Sequence, residues 1–179
     1  MDKVKKIKSG ANGETGGRII IDIPVEPQGQ MRPRTRAIVK GKKAFAMAYK
    51  DRRQRLREER LMLFIKDHIP SGGPWTDPAV MTLYCFLPVP KSYSKARRER
   101  CLLGKEFPAK TPDLSNVMKM IEDCLNRLVF EDDKQIISSL VVKVYREKPG
   151  MRVVLDRVKD RELYSVLYGV FGEVLREVA

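Results

Sequence analysis

The stretch TPDLSNVMKMIEDCLNRLVFEDDKQI, residues 111–136, predicts a helix, then an acidic turn, then the start of a strand. Helical spacing over residues 114–128 sorts the side chains onto two faces. The apolar face holds Val117, Ile121, Cys124 and Leu128, and the polar face holds Asn116, Lys119 and Asp123. At 100° per residue these faces lie roughly 130° apart, so one face can pack while the other looks outward.

Strands and helices alternate on both sides of this stretch. Apolar and β-branched runs predict strands over residues 19–25, 79–87, 134–146 and 151–156. The last two are joined at Lys148-Pro-Gly150, which is typical of a hairpin. Amphipathic patterns predict helices over residues 50–68, 91–103 (opened by Ser92 or Ser94) and 114–128, whereas residues 27–36, PQGQMRPRTR, read as a loop. The sequence therefore predicts an α+β fold, a single small domain with a mixed sheet flanked by helices.

The flanks of this domain have patterns of their own. Residues 1–17 are predicted to be a flexible basic arm, because no apolar stretch follows the lysines and a secretory signal is not expected. The domain takes residues 18–158, and residues 159–179 form a C-terminal amphipathic helix. Its apolar stripe consists of Leu163, Val166, Leu167, Val170, Phe171, Val174, Leu175 and Val178. Such a broad stripe packs either on its own sheet or against a partner subunit.

The positive charge of the chain is concentrated in two segments. Residues 31–60 hold 12 basic and 3 acidic residues and residues 91–110 hold 7 and 2, while the formal net charge is +13. A localised cationic surface favours a nucleic-acid partner, since each neutralised phosphate releases a counterion. The residues predicted to contact DNA are Arg32, Arg34, Lys91, Lys95, Arg97 and Arg98. The plainer interpretation is a solvated helix face.

Other partners and cofactors are disfavoured by the composition. No apolar run approaches the ~20 residues that span a bilayer, so no membrane association is expected. Three scattered cysteines, Cys85, Cys101 and Cys124, and the one histidine, His68, make no zinc-binding spacing, so no zinc is expected. Scattered thiols of this kind are typical of a reduced, cytoplasmic protein.

Carboxylates beside a basic surface suggest chemistry on phosphodiesters. Asp113, Asp123 and residues 131–133 are close in sequence to Lys119. Mg²⁺ takes one or two carboxylates plus phosphate and water, and a neighbouring lysine can stabilise charge on the phosphate. The alternative is an ordinary surface helix with Asp113 as its N-cap and Asp132-Asp133 in a turn, and composition alone favours that alternative.

Four motifs, in order, change that balance. PQGQMRPR at 27–34, PVPKSYSKARRER at 88–100, PDLSN with Lys119 and EDCLN at 112–126, and FEDDKQI at 130–136 together resemble the RusA family of Holliday junction resolvases, in its phage and Gram-positive branch. The resemblance spans roughly residues 19 to 157. It implies a RusA-like fold, a homodimer, branched DNA as substrate, and a phage or prophage protein acting in the bacterial cytoplasm.

The resemblance also implies roles for individual residues. Asp113, Lys119 and Asp133 would be catalytic, and Asp113, Asp132 and Asp133 would bind Mg²⁺, with Mn²⁺ as an alternative ion. One position departs from the family pattern, because Ser115 stands where the family has a second aspartate. A hydroxyl is a weaker and uncharged magnesium ligand. Two further hypotheses therefore stay open: a junction-binding protein that has lost or weakened its catalysis, and a generic basic DNA- or RNA-binding protein.

Overall fold

A computed structural model describes residues 17–31, 33–41, 43–158 and 163–178. The elements in chain order are β1 (Arg18–Ile23), β2 (Arg34–Lys40), β3 (Lys43–Tyr49), α1 (Arg52–Lys66), β4 (Ala79–Pro88), α2 (Lys95–Leu102), α3 (Leu114–Leu125), a 3₁₀ turn (Asp133–Gln135), β5 (Ile136–Arg146), β6 (Gly150–Arg157) and α4 (Leu163–Val178). This is the expected α+β fold with a mixed sheet. Most of the predicted basic arm lies outside the described residues.

A four-stranded sheet in the order β1-β6-β4-β5 organises the molecule. β4 runs parallel to β5 and antiparallel to β6, and β6 runs antiparallel to β1. One face of the sheet packs on α1 and α3, with Leu83 and Val153 meeting Ile65 of α1 and Ile121 of α3 in the main core. α2 closes one end, where Cys101 packs on Leu87, Val89 and Tyr145.

The predicted hairpin between β5 and β6 is wrong in its pairing. The two strands are antiparallel, but β4 lies between them, so the short link at 147–149 crosses the end of β4. β4 is buried on both faces along nearly all its length, whereas β5 alternates and is half-buried. Burial on both faces favours a central position for β4 and an edge position for β5. The turn residues between β5 and β6 carry no information about which strand is central.

α4 packs on the other face of the sheet. Leu167, Val170 and Val174 lie in one apolar cluster with Val80, Leu140 and Val158. Val80 points away from the main core because successive residues of a strand point to opposite faces. Of the two positions considered for the tail helix, the described residues occupy the one on its own sheet. Several members of the predicted stripe, including Leu163 and Phe171, have side chains that lie outside the described set.

Two strands in the first cationic segment were not predicted. β2 and β3 pair as an antiparallel ribbon through a two-residue link that contains Gly41, whose φ is 65°. Residues 27–36 are therefore not all loop, since Arg34 already belongs to β2. Alanine and charged residues are poor strand formers, which hid the alternation in this segment. A glycine between Val39 and Phe45 was the available signal.

Several helix and strand boundaries differ from the predicted ones by a few residues. α3 ends at Leu125 rather than 128, because Arg127 adopts a left-handed backbone with φ of 64°. α2 begins at Lys95 rather than 91, and Ser94 is the residue that caps it, accepting from the Arg97 backbone N–H at 3.4 Å. β5 begins at Ile136, after the 3₁₀ turn.

Candidate functional site

Asp113 occupies the N-cap position of α3 but does not use its side chain as a cap. Among the described residues, the one hydrogen bond that its exposed carboxylate accepts is a long one, 3.3 Å, from the Asn116 side-chain amide. The segment before the helix is held by Lys143 Nζ, which donates to the backbone oxygens of Lys110 at 2.5 Å and Pro112 at 3.2 Å. An N-cap aspartate whose oxygens are left outside the cap remains able to bind a cation.

The two faces of α3 lie as the sequence predicted. Val117, Ile121 and Cys124 are buried in the main core, whereas Asn116 and Lys119 are exposed. The Lys119 side chain is 61% exposed, and its Nζ lies 3.9 Å from Asp123 Oδ1. An exposed pair at that distance contributes little to stability, so the ammonium can turn towards a ligand.

Asp132 and Asp133 have different surroundings although they are adjacent in sequence. Asp132 caps the 3₁₀ turn: it accepts from the Lys134 backbone N–H at 3.1 Å, and this bond lowers the pKa of the Asp132 carboxyl. Gln135 completes the capping box and donates from Nε2 to the backbone oxygens of Trp75 and Asp77. Asp133 is exposed and forms no ion pair with another described residue. Both acids lie in a turn, as the plainer alternative predicted, and Asp132 is the one that caps it.

Glu122 is an acidic residue of α3 that the sequence reasoning passed over. It is half-buried, and its pKa is raised, first by burial and then by the nearby charge of Asp133. Glu122 follows Ser115 by seven residues and Lys119 by three, a spacing that places all three on one side of the helix. That spacing was the signal available in the sequence.

The three predicted metal ligands do not form a closed cluster. Across the described ranges, no group of three or more Asp, Glu, His or Cys side chains is arranged to hold a metal ion. An open donor set nevertheless fits Mg²⁺, which keeps several waters and binds through one or two carboxylates together with substrate phosphate. The Asp132 side chain is 50% exposed but caps the 3₁₀ turn, so Asp113 and Asp133 are the members of the predicted set whose exposed carboxylates do not cap an element.

The loop that contains PQGQ docks directly on α3. The Gln30 backbone N–H donates to the Asn116 carbonyl at 3.0 Å, and Gln30 Nε2 donates to Asp123 Oδ2 at 2.6 Å. Gly29 permits this approach, since a Cβ built there would lie 2.9 Å from the Asn116 Cβ. The first of the four sequence motifs is therefore in contact with the third.

A buried polar network continues from Asp123 into α1. Lys50 Nζ lies 3.8 Å from Asp123 Oδ2 and donates to both oxygens of Glu58, at 2.9 and 3.1 Å. Gln54 Nε2 donates to Glu58 Oε1 at 2.8 Å, and Gln54 Oε1 accepts from the Met31 backbone N–H at 3.2 Å. Burial acts to raise the pKa of Glu58, but the hydrogen bonds from Gln54 and Lys50 outweigh it and lower that pKa.

The residues predicted to contact DNA differ in how strongly other groups hold them. Lys91 and Lys95 are exposed and form no ion pair within the described part of the chain, and Arg34 pairs with Asp51 at 3.1 Å. Arg32 lies outside the described residues.

Two arginines of α2 already have partners in the fold. Arg97 pairs with Glu106 and lies over the Tyr93 ring, with its Cζ 3.6 Å from the centroid. Arg98 donates to the Pro90 carbonyl at 3.2 Å and more weakly to that of Val89. Both arginines therefore also support the turn before α2.

The family model described as endodeoxyribonuclease RusA matches residues 24–156. The chain belongs to the RusA family. All four motifs fall within the match, and α4 lies beyond it. The chain is also 35% identical over 85 residues to the uncharacterized protein YqaN of Bacillus subtilis strain 168. That alignment covers 46% of this chain and 60% of YqaN, so it spans less than two thirds of the relative.

Membership of the RusA family, whose model is described as an endodeoxyribonuclease, gives the acidic residues at the start of α3 their chemical context. In the described part of this RusA-family chain, no helix combines the length and the apolar character needed to span a membrane. The three cysteines are buried and unpaired, and burial raises the pKa of the Cys85 and Cys124 thiols to about 12. Such thiols are inert packing groups at neutral pH.

Proposed function

We propose that this protein is a metal-dependent endodeoxyribonuclease that resolves four-way DNA junctions. One observation carries the proposal. In a chain of the RusA family, the N-cap residue of α3 is Asp113, whose side chain does not cap the helix, and the same helix carries the mostly exposed Lys119. A helix N-terminus also favours negative charge, so a phosphate is well placed there.

The roles of the residues follow from their surroundings. Asp113 and Asp133 would hold Mg²⁺ or Mn²⁺, and Lys119 Nζ would donate to a non-bridging oxygen of the scissile phosphate. An ion held there would supply a water molecule of lowered pKa and would stabilise charge on the phosphate. Asp132 keeps the 3₁₀ turn folded so that Asp133 is presented to the site, and it is a metal ligand only if its cap opens.

Glu122 supplies the negative charge that Ser115 lacks. Both residues lie on one side of α3, and the pKa of Glu122 is raised because burial and the charge of Asp133 outweigh the opposing effect of Lys119. A metal ion bound by Asp133 would offset the negative charge that Asp133 and Glu122 share. The negative charge that the family has at the position of Ser115 would then lie seven residues further along α3, at Glu122.

In the proposed function the protein acts as a homodimer on branched DNA, because symmetric resolution of a four-way junction requires two opposed cuts. The cationic segments that hold Arg34, Lys91 and Lys95 bind the arms through their phosphates. We place this activity in the cytoplasm of a bacterial cell, on recombination or repair intermediates, and propose a phage or prophage origin.

Incubation with a synthetic four-way junction, in Mg²⁺ or Mn²⁺, tests the proposal, with a duplex of the same sequence as substrate control. Paired nicks in opposed strands of the junction, with the duplex left intact, are expected. Equal cutting of both substrates would show a non-specific nuclease instead.

The second candidate function is junction binding without cleavage. Its specific support is Ser115, an exposed neutral hydroxyl at the position of a family carboxylate. Tight, selective binding of the junction with no nicks in either metal would establish this second function and refute the first.

A further inference from the structure

The ribbon formed by β2 and β3 stands clear of the sheet. Its strands pair along their full length, from Arg34 opposite Tyr49 to the two residues beside the turn. Among its described side chains, only Ile38 is even half-buried, and Phe45 is 54% exposed. Apolar surface of this kind is left in water at a cost unless a partner covers it.

The pairing register gives the ribbon two unlike faces. Residues directly opposite each other in an antiparallel pair project from the same face. One face, called here the bulky face, carries Arg34, Arg36, Ile38, Phe45, Met47 and Tyr49. The opposite face carries Thr35, Ala37, Val39, Ala44, Ala46 and Ala48. Large flat or flexible side chains are therefore interleaved with guanidinium groups on one side only.

The charge of the ribbon indicates what covers the bulky face. Residues 34–50 contain six Lys or Arg and no Asp or Glu. A second copy of a chain with net charge +13 would bring like charges together at this surface, whereas a polyanion would be attracted. Aromatic and apolar side chains interleaved with cations match a nucleic-acid strand whose bases are unstacked.

Both ends of the ribbon are fixed to the site helix. Before β2, Gln30 bonds to the Asn116 carbonyl and to Asp123; after β3, Lys50 lies 3.8 Å from the same Asp123 carboxylate. Asp123 in turn neighbours Lys119 at 3.9 Å. The ribbon thus projects from the side of α3 that carries the proposed catalytic lysine, and a nucleic acid held by one element is near the other.

We propose that the bulky face of the ribbon enters the centre of a DNA branch point, where Phe45 and Ile38 stack against bases that the junction leaves unpaired or poorly stacked. Arg34, Arg36 and Lys43 hold the flanking phosphates. The inference rests on the proposed function and adds to it the element that distinguishes a branch from a duplex, since only the branch exposes base faces.

The test uses the full chain and compares a double variant, Ile38→Ala with Phe45→Ala, with the matched control Val39→Ala on the opposite face. The probe is a four-way junction carrying 2-aminopurine at the branch point, in buffer without divalent metal, and a duplex carrying the same base. Wild type and Val39→Ala are expected to bind the junction and raise its fluorescence. The double variant should lose that rise and bind the junction roughly 10-fold more weakly, in the range of lost base stacking, with duplex affinity unchanged.

Phe45→Trp gives an independent measurement. The introduced indole should be quenched by the junction and not by the duplex, while Trp75 in the wild type provides the background. Light scattering on the double variant distinguishes the other occupant: a change in subunit number would show that the ribbon contacts a second copy, and the proposal would fall.

Two outcomes separate this inference from the function on which it rests. If wild type prefers the junction and the double variant keeps that preference and the fluorescence rise, the assignment of the ribbon is overturned and the proposed function stands. If wild type itself does not prefer the junction over the duplex, both are overturned.

Discussion

Asp113 and Asp132 show how one residue type takes different tasks through its hydrogen bonds. Both aspartates stand at N-cap positions, yet only Asp132 accepts a backbone N–H through its side chain. A capping carboxylate is already satisfied, whereas an uncapped one at a helix start keeps its oxygens for a ligand. The chemistry of the site is therefore expected to depend on Asp113 and Asp133 far more than on Asp132.

Asp113→Asn and Asp133→Asn are each expected to reduce junction cleavage at least 100-fold, because an amide cannot replace a carboxylate as a magnesium ligand. Junction binding should be equal or tighter, since the change removes negative charge near phosphate. Cleavage and gel-shift assays on the same samples measure the two effects. Asp67→Asn, an exposed aspartate just after α1, is the control. Full activity in either site variant would refute the assignment.

Ser115→Asp restores the carboxylate of the family pattern and is expected to lower the metal concentration that gives half-maximal cleavage. Glu122→Gln should act in the opposite direction if Glu122 supplies the missing charge. Titration of Mg²⁺ against the nicking rate measures both. An unchanged metal dependence in both variants would mean that neither position lies at the metal, and the relocation of charge along α3 would be wrong.

Glu58 connects α1 to the base of the ribbon and should make stability depend on pH. Its pKa is lowered in the folded state, so its ionised form stabilises the fold at neutral pH, and that contribution is lost as pH falls below about 4.5 through the folded pKa. Glu58→Gln is expected to cost about 1.5–3 kcal/mol at pH 7, the range for hydrogen bonds to charged groups, and less in acid. Urea unfolding at both pH values measures the difference.

Glu59→Gln is the matched control, because Glu59 is the exposed neighbour of Glu58 on the same helix. Its effect should be within ~0.5 kcal/mol at either pH. If the cost of Glu58→Gln were equal at pH 7 and in acid, the lowered pKa would not be the source of the stabilisation.

The four basic residues in and just before α2 that were predicted to contact DNA differ in whether they already have partners in the fold. Lys91 and Lys95 precede and open α2 with exposed ammonium groups, whereas Arg97 and Arg98 of the same helix have partners within the fold. Only the first pair can bind phosphate without breaking an existing contact.

Lys91→Glu and Lys95→Glu should weaken junction affinity and reduce the slope of log Kd against log salt by about 0.9 for each lost duplex contact. Fluorescence anisotropy over a salt series measures the slope. Lys66→Glu in the last turn of α1 is the control for net charge alone. A slope equal to that of wild type would show that these lysines are plain surface charges.

Much of α3 could be predicted from the sequence because its determinants are local. The helical spacing of Val117, Ile121 and Cys124 against Asn116 and Lys119 needs no knowledge of the partner elements. The pairing of β5 with β4 depends on which strand is buried on both faces, a comparison across the whole sheet. The different tasks of Asp132 and Asp133 depend on Gln135 reaching the carbonyls of Trp75 and Asp77, and those residues are distant in sequence.

The sheet lies between α1 and α3 on one face and α4 on the other, so α4 is expected to contribute to stability. It covers the sheet face opposite the site, and Arg146 and Arg152 both pair with Glu177 near its end. Removal of residues 160–179 should therefore expose Val80, Leu140 and Val158 and destabilise the domain. The position of the described part of α4 on its own sheet favours loss of stability over loss of a subunit contact.

Val170→Asp tests the contribution of α4 to stability by a single change. Val170 is 3% exposed, and burial of an unpaired charge lowers the free energy of unfolding. Thermal unfolding should show a Tm lower by at least 10 °C. Tyr168→Asp, two residues away and 79% exposed, should leave the Tm within a few degrees. Light scattering on a truncated chain that stays folded checks the subunit number, and a truncated chain as stable as wild type would make α4 an idle appendage.

The strand order also dictates when the sheet can be completed during synthesis. β1 pairs only with β6, and Ile21 meets Val153 across more than 130 residues of intervening chain. Until β6 leaves the ribosome, β1 has no strand with which to pair, and β4 is paired with β5 alone. Such a topology has high contact order, folds slowly and exposes strand edges to other chains meanwhile. Nascent chains that stall before residue 150 should therefore depend on chaperones, and overproduction in the cold, where elongation is slower and apolar association weaker, should raise the soluble yield.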